Sequence, residues 1–172
     1  IVENLLIDRS FVRDPQEAQM IAQINDIVPT LPHSVSNALA ASGLARSVGV
    51  SYLDIQGALI DFHPGRHRIE TIASAQGISW IDDSKATNPH AAAASILSHL
   101  SVIWIAGGLA KGADMNALVD RTKDRIKAVI LIGADRDLIE AAFLKFAPDT
   151  PRIKIDADYI KGGKSNALME NV

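Results

Sequence analysis

The chain contains no cysteine, so disulfides, thiolate metal sites and cysteine nucleophiles are all excluded. The same absence suits a reducing compartment. No apolar run approaches the roughly 20 residues that a membrane-crossing helix needs, because a charge, glycine or proline cuts every long one. Nor is there an excess of positive charge. The 17 basic and 20 acidic residues leave a formal net charge of −3, which argues against nucleic acid or a membrane surface as partner. The five histidines form no HExxH-like pair, and no metal ligand is expected among these residues. The chain opens Ile1-Val2-Glu3-Asn4, with neither an initiator Met nor a charged start followed by an apolar run, so no secretory signal is expected. The expectation is a piece cut from a longer cytoplasmic protein, with Val172 closing an unfinished helix.

What is present is an ordinary globular composition, 48% hydrophobic and 22% charged over 172 residues. That length suits one domain or two small ones. Residues 1–13 alternate moderately, with Leu5, Ile7 and Phe11 against Asp8, Arg9 and Arg13, which predicts exposed strands or a hairpin. Residues 20–28 read as strand or helix, with strand the better fit, and Pro29 and Pro32 then break the chain. Val35, Ala38, Leu39, Ser42 and Ala45 recur at helical steps and predict a helix over 33–48 with Gly49 at its C-cap. Ser51 with Asp54 predicts the cap of a second helix, whose apolar face is Ile55, Ala58, Leu59 and Phe62.

His63-Pro64-Gly65-Arg66 is the best linker, and the expected boundary divides the chain into 1–64 and 65–172. Beyond it the pattern predicts strands at 67–74 and 78–81 about a Gln76-Gly77 turn. A helix follows from Pro89, capped by Asn88. Then come a strand at 102–106, a helix at 115–122, a strand at 129–132, a helix at 137–146, a strand at 153–155 and one more helix from Ser165. Strands alternating with helices indicate an α/β fold, a Rossmann-like, mostly parallel open sheet with flanking helices expected on both faces. Ligands bind such sheets outside the carboxyl ends of the strands.

Two polar loops at that edge concentrate the chemistry. Asp82-Asp83-Ser84-Lys85-Ala86-Thr87-Asn88-Pro89 places two carboxylates, an ammonium and two hydroxyls before a helix start, where free amides attract anions. Gly107-Gly108-Leu109-Ala110-Lys111-Gly112-Ala113-Asp114 pairs glycines, which let a backbone approach a ligand closely, with a second lysine. Each loop read alone is equally an ordinary solvated turn; together they suggest a shared anionic ligand. Arg68 suits bidentate phosphate contact or an interdomain salt bridge, and Asn37 suits an adenine edge or plain solvent. Gly162-Gly163-Lys164-Ser165 imitates a P-loop, but Asp158 stands where that loop needs glycine. No GxGxxG occurs either.

His67-Arg68, the Asp82 to Pro89 run and the Gly107 to Asp114 run, in that order and spacing, closely resemble the UDP-N-acetylmuramoyl-L-alanine:D-glutamate ligase family. The segment from Pro32 to Ala41 resembles that family's adenine-side helix. The resemblance implies a three-domain, ATP- and Mg²⁺-dependent amide ligase of peptidoglycan synthesis, acting on UDP-N-acetylmuramoyl-L-alanine and D-glutamate through an acyl phosphate. It implies that 1–64 is the end of the central ATP-binding domain and that 65–172 is much of the amino-acid-binding domain. The remaining domains of the same chain, with the P-loop and metal ligands, would lie elsewhere, and the fragment alone would be inactive. By the same resemblance Asn37, Arg68 and Asp83 contact ATP. Lys85, Thr87 and Lys111 surround D-glutamate, with the two lysines catalytic, and both lysine loops meet at one rim of the sheet. Ser34 departs from the Asn often found in the family, which alters part of the adenine contact. Competing readings are another Mur or folylpolyglutamate-type ligase, a non-catalytic nucleotide-binding module, and a nicotinamide oxidoreductase, the last disfavoured by the missing GxGxxG.

Overall fold

A computed structural model describes residues 1–14, 16–108 and 111–155. The chain divides into two compact units, Ile1–Arg66 and His67–Val172. The helix expected from Ser165 and the P-loop-like Gly162 to Ser165 run lie outside the described residues. No described helix is long and apolar enough to cross a membrane.

In the first unit, β1 (Leu5–Asp8) pairs antiparallel with β2 (Gln19–Gln23), and a 3-10 turn at Ile24–Asp26 ends the run expected to be a longer strand. Two helices follow, α1 (Pro32–Ser47) and α2 (Tyr52–Asp61). Proline at the first turn of α1 costs no hydrogen bond, because that amide has no helical partner. The Ser51 hydroxyl caps α2 by accepting from the Asp54 amide. Leu6, Ile21, Ala22, Ile27, Val35, Ala38 and Ile55 close the core of this unit. The inward face of β1 is therefore Leu6 and Asp8, opposite to the alternation the sequence suggests. On α2, Ile55 is buried, whereas Ala58 and Phe62 are exposed.

The inversion has an electrostatic cause. Asp8, 6% exposed, accepts from the Ser10 and Phe11 amides at 2.8 and 3.0 Å. It also accepts from the Tyr52 hydroxyl at 3.0 Å and from Arg46 Nε at 3.4 Å. The Arg46 guanidinium lies 3.9 Å from the centre of the Tyr52 ring, and it donates to the Val50 carbonyl. Burial alone would raise the Asp8 pKa, but these four donors outweigh burial and hold it below its ordinary 3.8.

In the second unit, β3 (Glu70–Ala75) and β4 (Ile78–Asp82) form an antiparallel hairpin that is a separate sheet. The helix α3 (Pro89–Leu97) leads to a parallel sheet of order β5-β6-β7, built from Val102–Ala106, Ile126–Leu131 and Arg152–Lys154. Its crossovers are α4 (Met115–Thr122) and α5 (Arg136–Phe146). Trp104 pairs with Val129, and Ala106 with Leu131, so these side chains share a face. They pack there against Ile96 of α3, Val119 of α4, and Ile139, Ala142 and Phe143 of α5. The row Ile105, Ile130 and Ile153 lies on the other face, where Ile103, Ile105 and Ile153 are exposed. Among the described residues, then, helices cover one face of the parallel sheet.

Replacing Asp8 with alanine takes a partner from the partly buried Arg46 guanidinium and from the Tyr52 hydroxyl. The expected loss is about 3 kcal/mol at neutral pH, read by urea unfolding. A carboxylate with a depressed folded pKa stabilises above its unfolded value and stops doing so as pH falls through the folded one. The gap between variant and parent therefore narrows once pH drops below 3.8. A gap that stays constant into acid would contradict the ionic account.

Candidate functional site

The polar loop after β4 is tied to the residues that open the unit. His67 and Ile69 adopt positive φ, 65° and 51°, a left-handed backbone that non-glycine residues seldom take. This is why the strand expected from His67 starts only at Glu70. The turned segment meets the loop in three places. The Lys85 amide donates to the His67 carbonyl at 3.1 Å, the Ile69 amide donates to Asp83 Oδ1 at 3.1 Å, and His67 Nδ1 lies 2.6 Å from Asp82 Oδ2. An ionised carboxylate only accepts, so Nδ1 carries the hydrogen. The Asp82 pKa is lowered to about 2, first by the His67 hydrogen bond and next by the Ser84 amide, against a smaller opposing effect of burial.

Local bonds shape the rest of the loop. The Ala86 amide donates to the Asp83 carbonyl and the Thr87 amide to the Lys85 carbonyl, each at 2.8 Å. The Asn88 side chain then caps α3 by accepting from the Ala91 amide at 2.9 Å. Lys85 and Thr87 are exposed. Among the described residues the Lys85 ammonium has no ion pair or hydrogen bond, so it is available to an anion.

The second loop follows β5. A methyl group added at Gly107 would run into the Ile132 side chain and come within 2.7 Å of the Ile132 carbonyl oxygen, and one at Gly133 would come within 2.7 Å of the Gly108 nitrogen. The turns after β5 and β6 therefore approach too closely for a side chain at either glycine, and the Asp135 amide donates to the Gly108 carbonyl at 3.3 Å. Lys111 is exposed with φ 49°, and its ammonium too lacks a partner among the described residues. Asp114 caps α4 by accepting from the Asn116 and Ala117 amides at 3.0 and 3.3 Å.

The sequence suggests two lysine loops leaving strands of one sheet. The structure differs, because β4 belongs to the hairpin and not to the parallel ladder. The relation runs through helices instead. A four-residue link joins the end of α3 to the start of β5, so α3 runs back along the sheet with its N-terminus toward the strands' carboxyl edge. Helix α4 starts from that same edge and packs on α3. Lys85 and Lys111 each stand four residues ahead of one of these helices. Arg68, exposed, sits in the turned segment between His67 and Ile69. Asn37 is exposed on α1, in the other unit.

Asp83 Oδ1 accepts from the Ile69 amide, and Arg68 is exposed. Among the described residues, His67, Glu70 and Asp82 alone bring three metal-ligating atoms within 4.8 Å of one another. They are already spent. Glu70 Oε2 accepts from the His67 amide at 2.8 Å, and a cation would have to displace the hydrogen between His67 and Asp82. A cavity of about 340 Å³ in the first unit, bounded by Gln19, Met20, Tyr52 and Gln56 among others, involves none of the six residues singled out above. The bond between His67 and Asp82 and the approach of Gly133 to Gly108 escape sequence reading. The only signal for either was a glycine directly after a strand.

Residues 67–158 match the family described as Mur ligase, glutamate ligase domain. A UDP-N-acetylmuramoylalanine--D-glutamate ligase from Streptomyces avermitilis is 48% identical over 157 residues, covering 91% of this chain and 34% of that protein. The one from Streptomyces coelicolor is also 48% identical, covering 91% and 33%. The chain thus spans about a third of the length of the curated relatives it matches. A crystal structure of MurF from Acinetobacter baumannii shares the fold, with a TM-score of 0.63 and 22% identity over 91% of this chain and 35% of that one.

The glycine contact can be tested against an internal control. Gly112, at φ 78°, has open space around it, so Gly112→Ala meets backbone strain alone, about 1 kcal/mol. Gly133→Ala meets similar strain at φ 77° and also presses on Gly108. Its expected loss is about 2–3 kcal/mol. Urea unfolding of both variants gives the comparison, and equal losses would show that the turns do not press on each other.

Proposed function

The chain belongs to the family of Mur ligase glutamate ligase domains, and from that premise we propose that it is part of an ATP-dependent ligase joining D-glutamate to UDP-N-acetylmuramoyl-L-alanine. The reaction would be a cytoplasmic step of peptidoglycan precursor synthesis. One observation supports the reading most. Two exposed lysines with no partner among the described residues stand just ahead of the N-termini of two helices packed together. An amino acid with two carboxylates needs two such cations. In this reading residues 1–64 end a central ATP-binding domain and 65–172 form much of the amino-acid-binding domain. The P-loop and the Mg²⁺ ligands belong to other parts of the longer polypeptide.

Bound ATP would supply the phosphoryl group that turns a carboxylate, a poor acyl donor, into an acyl phosphate. The residues of this chain hold and orient. Lys111 pairs with one glutamate carboxylate, and the Thr87 hydroxyl donates to the side-chain carboxylate. Lys85 offsets negative charge on glutamate or on phosphate oxygens. With the acid ends fixed, the amine is presented to the acyl carbon. Asp83 Oδ2 accepts from a ribose hydroxyl, and Arg68 pairs with phosphate.

In the full-length ligase, Lys111→Ala is expected to raise the KM for D-glutamate on the order of tenfold to a hundredfold, with little change for the UDP-sugar substrate. Steady-state kinetics with each substrate varied gives the answer. The purified 172-residue chain is expected to show no ATP-dependent ligation. An amino-acid panel in which D-glutamate is not preferred would sink the reading.

A further inference from the structure

The loop that bears Asp83, Lys85 and Thr87 is curled by its own local bonds, but those bonds do not fix how the curl sits against the rest of the unit. That orientation comes from residues 15 positions earlier. His67 uses three groups at once. Its carbonyl accepts from the Lys85 amide, its ring nitrogen donates to Asp82 at 2.6 Å, and its own amide donates to Glu70 at 2.8 Å. Ile69, two residues on, holds Asp83. Both His67 and Ile69 carry positive φ, and two left-handed non-glycine residues so close together persist only where the surroundings over-determine them. The bond between His67 and Asp82 is half-exposed, the two side chains being 43% and 26% accessible, which is a poor place for a bond whose sole purpose is core stability.

We propose that His67 is a positioning residue: with Asp82 it clasps the loop from Asp83 to Thr87 in the one arrangement that serves nucleotide and D-glutamate together. The proposal rests on the ligase reading above. It gives His67 no contact with substrate. Its effect passes through Asp83 to the nucleotide and through Lys85 and Thr87 to the amino acid, so both affinities respond to one residue.

The test uses the full-length ligase carrying His67→Gln, His67→Asn or Asp82→Ala. Asparagine places an N–H near the position of Nδ1 and tolerates the left-handed backbone; glutamine carries its amide one carbon farther out. Breaking the clasp with His67→Gln or Asp82→Ala is expected to raise the KM for D-glutamate and for ATP together, each by about tenfold. His67→Asn restores both to within about threefold. Hydrogen exchange of the Lys85 and Ile69 amides, read without any substrate, is expected to quicken in the first two variants and not in His67→Asn. A merely structural residue would lower the fraction of folded enzyme, and so the apparent kcat, while leaving both KM values in place. That result overturns the proposal, and so does unchanged exchange. If the unaltered ligase does not use D-glutamate, the ligase reading itself fails and takes the substrate role of the clasp with it. That outcome is distinct from normal ligation with unmoved KM values in the His67 variants.

Discussion

Val119, Val129, Leu131 and Phe143 have no contact with solvent, and the geometry of the second unit follows from their burial. Two of them come from one face of β6, one from α4 and one from α5. Enclosing them requires those helices to lie on the same side of the sheet. Each such side chain contributes roughly 1.5–3 kcal/mol through removal from water, so the face is specified strongly. Once the helices are pinned there, short connections decide where they begin. Helices α3 and α4 both start toward the carboxyl edge of the strands, and the lysine loops have nowhere else to go. A hydrophobic constraint thus sets where the two lysine loops lead into their helices, although it shares no residue with those loops.

The two units answer the problem of buried charge in different ways. In the first, Asp8 is enclosed and surrounded by four donors, with Arg46 stacked on Tyr52. The cluster links β1 to α1 and α2 and leaves the aspartate little capacity for anything further. In the second, Asp82 is half-exposed and bonded to one histidine and one amide, while its neighbour Asp83 keeps an oxygen in reserve. The Lys85 and Lys111 ammonium groups have no partner among the described residues, whereas the neighbouring Asp82, Asp83 and Asp114 carboxylates already accept hydrogen bonds.

Much of this architecture was legible in the sequence, and particular residues show why. The helix starts at Ser51, Asn88 and Asp114 are written locally, because a capping side chain reaches only two or three residues along the chain. The apolar runs 102–106 and 129–132 announce strands for the same reason, but burial is not theirs to state, since Ile103 and Ile105 are exposed. The long-range parts are not legible in this way. Asp8 reads as an outward residue because an isolated aspartate normally is one, and Arg46, 38 positions away, gives no local sign of reaching it. The hairpin reads as part of the parallel sheet because a strand's own residues do not say which neighbour it will pair with.

The chain by itself determined its element order, its caps and the family to which it belongs, since these depend on interactions within a few residues or on runs of fixed character. Tertiary structure decided which strands share a ladder, that Gly133 must approach Gly108 as bare backbone, and that His67 folds back on the Asp82 loop in a left-handed turn. The physical reason is reach. A hydrogen bond or a van der Waals contact acts over a few ångströms, and only the folded chain brings residues 15 or 25 positions apart to that distance.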